Sequence, residues 1–265
     1  MRVSDVMHRG LLTCVPSTTL GDAAALLAER RVHALVVAEP GGPPLGVLAD
    51  FDLLAGEWLA RDEASRETMA HMTAGELMTA PPRTIDATAD VREAAERLHR
   101  ERLARLLVVD AGDAIGVVAV SDLVATLGAD DGDGHLVRDA MSRGFVACGP
   151  DTPLRSLARA MSERRSRSVV VLGRQGDVLG VVTGTDLLPH VAAGETGATA
   201  ADLLHPPLTI GPDATLREAA DALVGAEVHR LVVVDPASPH ALPLGVLSTF
   251  DVVAYMARRG SGWRD

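Results

Sequence analysis

The chain has 265 residues, 47% apolar and 23% charged, with a net charge of −11; this is a globular composition, long enough for two ordinary domains. The acidic balance excludes non-specific attraction to DNA or anionic membrane, and an aromatic content of 2% argues against an RNA binder that stacks bases on exposed rings. All 25 Lys+Arg positions are Arg, which leaves neither a Walker-type phosphate lysine nor a Schiff-base lysine.

From the N-terminus, Met1 to Met7 carry no apolar signal core, and no apolar run is long enough to span a bilayer. The expectation is a cytoplasmic protein with no membrane partner. After the opening Ser4-Asp-Val-Met7, the positions Leu20, Ala23, Ala24 and Leu27 have helical spacing, and Thr19 with Asp22 suits a cap. Leu35–Ala38 and Leu45–Leu48 read as strands around the turn 40–44, and a helix begins near Asp52. Residues 60–73 read as a helix extension and connection.

A second stretch repeats this order. Glu76-Leu-Met78 opens it, Asp90 with Glu93 starts a helix presenting Val91, Ala94, Ala95 and Leu98, and strands follow at Leu106–Val109 and Ile115–Val120. Asp130-Asp-Gly-Asp-Gly134 reads as a solvated linker, because a calcium loop would need a Glu at its end. In the third stretch Thr152 is expected as the N-cap with Pro153 at the first helical position, and the strands are Val169–Leu172 and Val178–Thr183. In the fourth, Thr215 and Glu218 form a capping box, with strands at Leu231–Val234 and Leu244–Ser248. The end of the chain, 258–265, reads as a tail.

One corner recurs in all four stretches: Gly46-Val-Leu-Ala-Asp-Phe-Asp52, Gly116-Val-Val-Ala-Val-Ser-Asp122, Gly180-Val-Val-Thr-Gly-Thr-Asp186 and Gly245-Val-Leu-Ser-Thr-Phe-Asp251. Its final acids are 70, 64 and 65 residues apart, and a near-constant step marks internal repeats. Cys14 and Cys148 align with each other and with Ile85 and Ile210, so both read as buried small thiols rather than a disulfide or a redox pair. The nine His show no ligand spacing, and no metal site is expected.

The opening, the capped helix, the "VVVD"-like strand and the "G-V-V-T-x-x-D" corner together resemble the CBS domain, named for cystathionine β-synthase, over nearly the whole chain. The resemblance implies an α/β (α+β) fold of tandem repeats, each with a small sheet and two helices, paired into two Bateman modules. These modules are expected at 1–128 and 137–257, joined by the acidic linker 129–136. It further implies a regulatory protein that senses adenine nucleotides or adenosyl compounds (AMP, ADP, ATP, S-adenosylmethionine), needs no other cofactor and acts on a regulated protein partner. Pairing within one chain or as a homodimer is left open.

A ribose presents two adjacent hydroxyls that one carboxylate can accept, and a helix start favours phosphate. Thr183 with Asp186, and Ser248 with Asp251, supply the acid and a hydroxyl; Asp52 and Asp122 are weaker candidates because Ala49 and Ala119 replace the hydroxyl. Losing one neutral hydrogen bond costs on the order of 1 kcal/mol, so the C-terminal half is the expected site. His229, Arg230, Arg167 and, more weakly, Arg105 are candidates for phosphate, and Phe145, Val146, Pro207 and Leu208 for adenine. Two rival readings stay beside this one. Ser or Thr three residues before an acid is also a helix cap, and the alanines suit an interaction scaffold with degenerate sites. Neither a nucleophile–base pair nor a cofactor fingerprint points to an enzyme, and nucleic acid is not an expected partner.

Overall fold

A computed structural model of the chain describes residues 1–59, 71–127, 134–164, 166–192, 197–238 and 242–259. The expected extension at 60–70, most of the linker and the tail at 260–265 lie outside the described residues. Each repeat builds the same body. A two- or three-residue strand (Thr13–Cys14, Thr84–Asp86, Ala147–Cys148, Thr209–Ile210) precedes a helix (Leu20–Arg30, Val91–Glu101, Leu154–Arg164, Leu216–Gly225). A central strand follows (Ala34–Ala38, Arg105–Asp110, Ser168–Leu172, Arg230–Val233), then an antiparallel strand (Pro44–Ala49, Asp113–Ala119, Val178–Thr183, Gly245–Ser248) and a second helix (Asp50–Leu59, Val120–Val124, Gly184–Ala192, Thr249–Arg259). The short strands pair in parallel with the central ones, so that Cys14, Ile85, Cys148 and Ile210 stand opposite Val37, Val108, Val171 and Val233. This register matches the alignment read from sequence.

The first helices form where their apolar stripes predict. Leu20, Ala23, Ala24 and Leu27 are buried, as are Val91, Ala94, Ala95 and Leu98. Thr19 Oγ1 accepts from the Asp22 N–H at 3.1 Å, and Thr215 and Glu218 close a capping box. Asp90 caps through the Arg92 N–H rather than through Glu93. The third helix starts one residue later than expected: the Pro153 carbonyl accepts from Leu157, so Pro153 holds the cap position that Thr19, Asp90 and Thr215 hold elsewhere.

The opening segments do not stay with their own repeats. Each is a four-residue helix (Val3–Val6, Ala74–Leu77, Val137–Ala140, Ala200–Leu203). The first docks on repeat two, where His8 and Arg9 pair with Val117 and Gly116, and the second docks on repeat one, where Thr79 and Val47 exchange backbone hydrogen bonds. Repeats three and four trade in the same way, through Ser142 with Val246 and His205 with Val181. Glycine is required at these crossings. A Cβ at Gly245 would lie 2.5 Å from the Ser142 carbonyl oxygen, and one at Gly180 would lie 2.6 Å from that of His205.

The chain packs as two compact units. Unit one comprises Met1–Gly10, Arg83–Gly144 and Pro207–Asp265; unit two comprises Leu11–Pro82 and Phe145–Pro206. Each unit therefore takes one repeat body from the 1–128 half and one from the 137–257 half. In unit one a single aliphatic core joins Leu98, Leu106 and Leu123 to Leu223, Leu231 and Val252. In unit two the facing helices trade residues: Leu188 of repeat three enters the core of repeat one, and Leu54 of repeat one enters that of repeat three.

Candidate functional site

The four corners share one backbone arrangement. Where the antiparallel strand turns into the second helix, the last strand residue donates its N–H to the acid three places on: Ala49 to Asp52 at 2.8 Å, Ala119 to Asp122 at 2.8 Å, Thr183 to Asp186 at 2.7 Å, and Ser248 to Asp251 at 2.8 Å. An orphan donor at a helix start draws a carboxylate, and the positive end of the helix dipole reinforces it. In repeats three and four the hydroxyl joins in. Thr183 Oγ1 donates to Asp186 Oδ2 at 2.7 Å, and Ser248 Oγ to Asp251 Oδ2 at 2.5 Å. The Asp251 N–H returns a bond to Ser248 Oγ at 3.2 Å, which completes a capping box. The cap reading of these residues is thus realised, and it uses one carboxylate oxygen.

The other oxygen meets a residue that sequence reasoning missed. Ser142 Oγ donates to Asp251 Oδ1 at 3.0 Å, His205 Nε2 lies 2.8 Å from Asp186 Oδ1, and His8 Nδ1 lies 3.1 Å from Asp122 Oδ1. All three belong to exchanged opening segments, and Thr79 holds the same position beside repeat one. A signal did exist: His8, Thr79, Ser142 and His205 each follow an opening that ends in Met or Leu, so all four copies place a hydrogen-bonding side chain there.

A second set of side chains is placed beside each helix start by its own carbonyl. The first helical N–H donates to His33, Ala104, Arg167 or His229, at 3.0–3.1 Å in every repeat. The next residue stands opposite the last strand residue, so Arg105 faces Ala119 and Arg230 faces Ser248. His229 and Arg230 therefore flank the Ser248–Asp251 corner. In unit two, His33 Nδ1 lies 2.9 Å from Asp50 Oδ2, and the Arg167 guanidinium lies 4.0 Å from Asp50 Oδ1. Burial raises the Asp122 carboxyl above the usual range, against the opposing Ala119 N–H and His8. Burial likewise raises the thiols of Cys14, which is buried, and Cys148, which is partly exposed.

Of the residues expected at the adenine, Phe145 and Val146 precede the short strand Ala147–Cys148, and Pro207 and Leu208 precede Thr209–Ile210. The Val146 and Leu208 carbonyls accept from Val170 and Val232 of the central strands. Both short strands form the edge opposite to the strand that leads into the corner. Phe145, Val146 and Pro207 are half-buried and Leu208 is exposed. Among the described residues no three His, Cys, Asp or Glu side chains converge as a metal site, and no helix is long and apolar enough to cross a membrane.

The comparisons with known proteins agree with this architecture. The family model described as the CBS domain matches residues 3–56, 74–129, 137–193 and 200–258. The uncharacterized protein MJ1225 of Methanocaldococcus jannaschii is 21% identical over 94% of this chain and 96% of its own length. Its crystal structure superposes with a TM-score of 0.83 over 97% of this chain and 100% of that one, at 20% identity, a likeness of fold. The uncharacterized protein MJ1404 of the same organism is 25% identical over 80% of this chain, which spans 51% of the length of that relative. The CBS domain-containing protein CBSX2 of Arabidopsis thaliana is 29% identical over 46% of this chain and 61% of its own. Its structure, in complex with AMP, covers 47% of this chain and 93% of that one, with a TM-score of 0.41.

Proposed function

We propose that this chain, which belongs to the CBS domain family and carries four of its domains, is a non-catalytic sensor of adenine nucleotides or adenosyl compounds that regulates a protein partner. The observation that carries the reading is the second oxygen of each corner carboxylate. The helix cap occupies Oδ2 of Asp186 and Asp251, while Oδ1 accepts one bond, from His205 or Ser142. A carboxylate oxygen has two lone pairs, so Oδ1 can receive a ribose hydroxyl beside or in place of that donor. CBSX2, a relative by sequence, has been crystallised with AMP, which supports the ligand class.

Repeats three and four hold the better acids for a ribose, because Thr183 and Ser248 add a hydroxyl where Ala49 and Ala119 have none, a difference of on the order of 1 kcal/mol. Arg230 and His229 serve the phosphate at the Ser248–Asp251 corner. The exchange of opening segments between repeats one and two, and between three and four, supports 1–128 and 137–257 as the two Bateman modules.

A scaffold with degenerate sites is the second reading, favoured by the completed capping box of Ser248 and Asp251. Thermal unfolding with AMP, ADP, ATP and S-adenosylmethionine separates the two. A ligand at one hundred times its Kd stabilises by about 2.7 kcal/mol. We expect such a shift with one of the four, and its loss in the Asp186→Ala plus Asp251→Ala variant. A shift with none favours the scaffold, and undiminished binding by the variant rules out the corner assignment.

A further inference from the structure

We propose that Asp50 is a resident anion, a carboxylate of the chain itself that fills the anion position of unit two and so directs the phosphate of a nucleotide to unit one. The proposal rests on the sensor reading and deepens it. Asp50 is the first residue of the helix Asp50–Leu59; the other three repeats place Val120, Gly184 and Thr249 there, none of them charged. Its side chain is only 8% exposed. A buried carboxylate stays ionised only where cations and N–H groups compensate it, and Asp50 has both. Oδ2 lies 2.9 Å from His33 Nδ1, and Oδ1 accepts the Phe51 N–H at 2.7 Å with the Arg167 guanidinium 4.0 Å away.

His33 and Arg167 hold the same position in their two repeats, and both turn to this one carboxylate. A phosphate arriving beside Arg167 would enter a partly buried place that already carries a negative charge, which Coulomb repulsion opposes. At the matching places unit one carries Ala104 and His229, each followed by an arginine, Arg105 and Arg230, with Val120 and Thr249 at the two helix starts. Asp50 is thus a specificity-determining residue, and it sets unit two apart from unit one.

The test uses the full chain and inorganic pyrophosphate, which probes the anion position without the adenosine. Asp50→Asn removes the charge. Asp50→Thr installs the residue that repeat four tolerates, buried, at the same place. By calorimetry both are expected to bind pyrophosphate at least tenfold more tightly than wild type, and adding Arg167→Ala to Asp50→Asn should abolish the gain. Two folded variants that bind no better than wild type overturn the proposal. A crystal of the wild-type chain soaked with ATP gives an independent reading that holds even if neither variant folds. Phosphate density only in unit one supports the proposal, and phosphate beside Arg167 overturns it. If wild type binds no adenine nucleotide while the variants gain pyrophosphate, the sensor reading fails and Asp50 remains the resident anion.

Discussion

The corners of repeats two and four lie in the same unit, share one backbone arrangement and one acid, and differ in the two side chains beside it. Repeat four has Ser248, Asp251 and, from the exchanged segment, Ser142; repeat two has Ala119, Asp122 and His8. Two hydroxyls bind Asp251, one on each oxygen, and leave it half-buried. Asp122 keeps the backbone bond and gains His8, but it is buried, and desolvation raises its pKa. The same helix start therefore holds a carboxylate with a hydroxyl on each oxygen in one repeat and a carboxylate whose charge is opposed by burial in the other. A conserved backbone geometry thus does not make four equivalent sites; the neighbours at two positions decide what each acid can do.

The largest test of this comparison strikes the crossing beside the corner of repeat four and leaves that of repeat two, His8 over Gly116, intact. Gly245→Val would push the Ser142 carbonyl off the strand and take the Ser142–Asp251 bond with it. Overpacking of this kind costs about 1–3 kcal/mol, so urea unfolding should show that loss, together with weaker nucleotide binding. A smaller effect is expected from Ala119→Ser, which gives repeat two the hydroxyl of repeat four. Stability should rise by about 1 kcal/mol, the typical worth of a helix cap, and calorimetry should show any nucleotide affinity at this corner rising roughly fivefold. An unchanged melting temperature would mean that the hydroxyl contributes nothing to the cap.

The smallest effect is a pH dependence. Because the folded Asp122 holds its proton to higher pH than the unfolded chain does, its contribution to stability is present below about pH 3.9 and is lost as pH rises through the raised native value. Asp122→Asn removes that titration and should gain on the wild type as pH rises across this window, in urea unfolding at a series of pH values. Parallel pH profiles would show that burial does not penalise the charge.

Much of the fold was legible locally. The helical stripes at Leu20–Leu27 and Val91–Leu98, the caps at Thr19 and Thr215, and the strand pairs all follow from spacing and turn chemistry within a dozen residues. The short parallel strands were not, since two residues such as Thr13–Cys14 show no period and exist only because a central strand lies beside them. The candidate site was legible in part. The acids at 52, 122, 186 and 251 stood out by repetition, and their partners His8, Ser142 and His205 did not, because each reaches its acid from another repeat's segment.

By itself, the sequence determined the repeat, the aliphatic core and the hydroxyl–acid corner, since these rest on hydrophobic period and on hydrogen bonds spanning three residues. Tertiary structure alone decided which opening segment lies on which sheet, that repeats one and three pack together as do two and four, and that Asp50 meets Arg167 across 117 residues of chain. The physical reason is that such contacts depend on how exchanged segments and facing helices pack. No local propensity carries that information, and the glycines at the crossings, read in sequence only as the first residue of a motif, are where the packing left its mark.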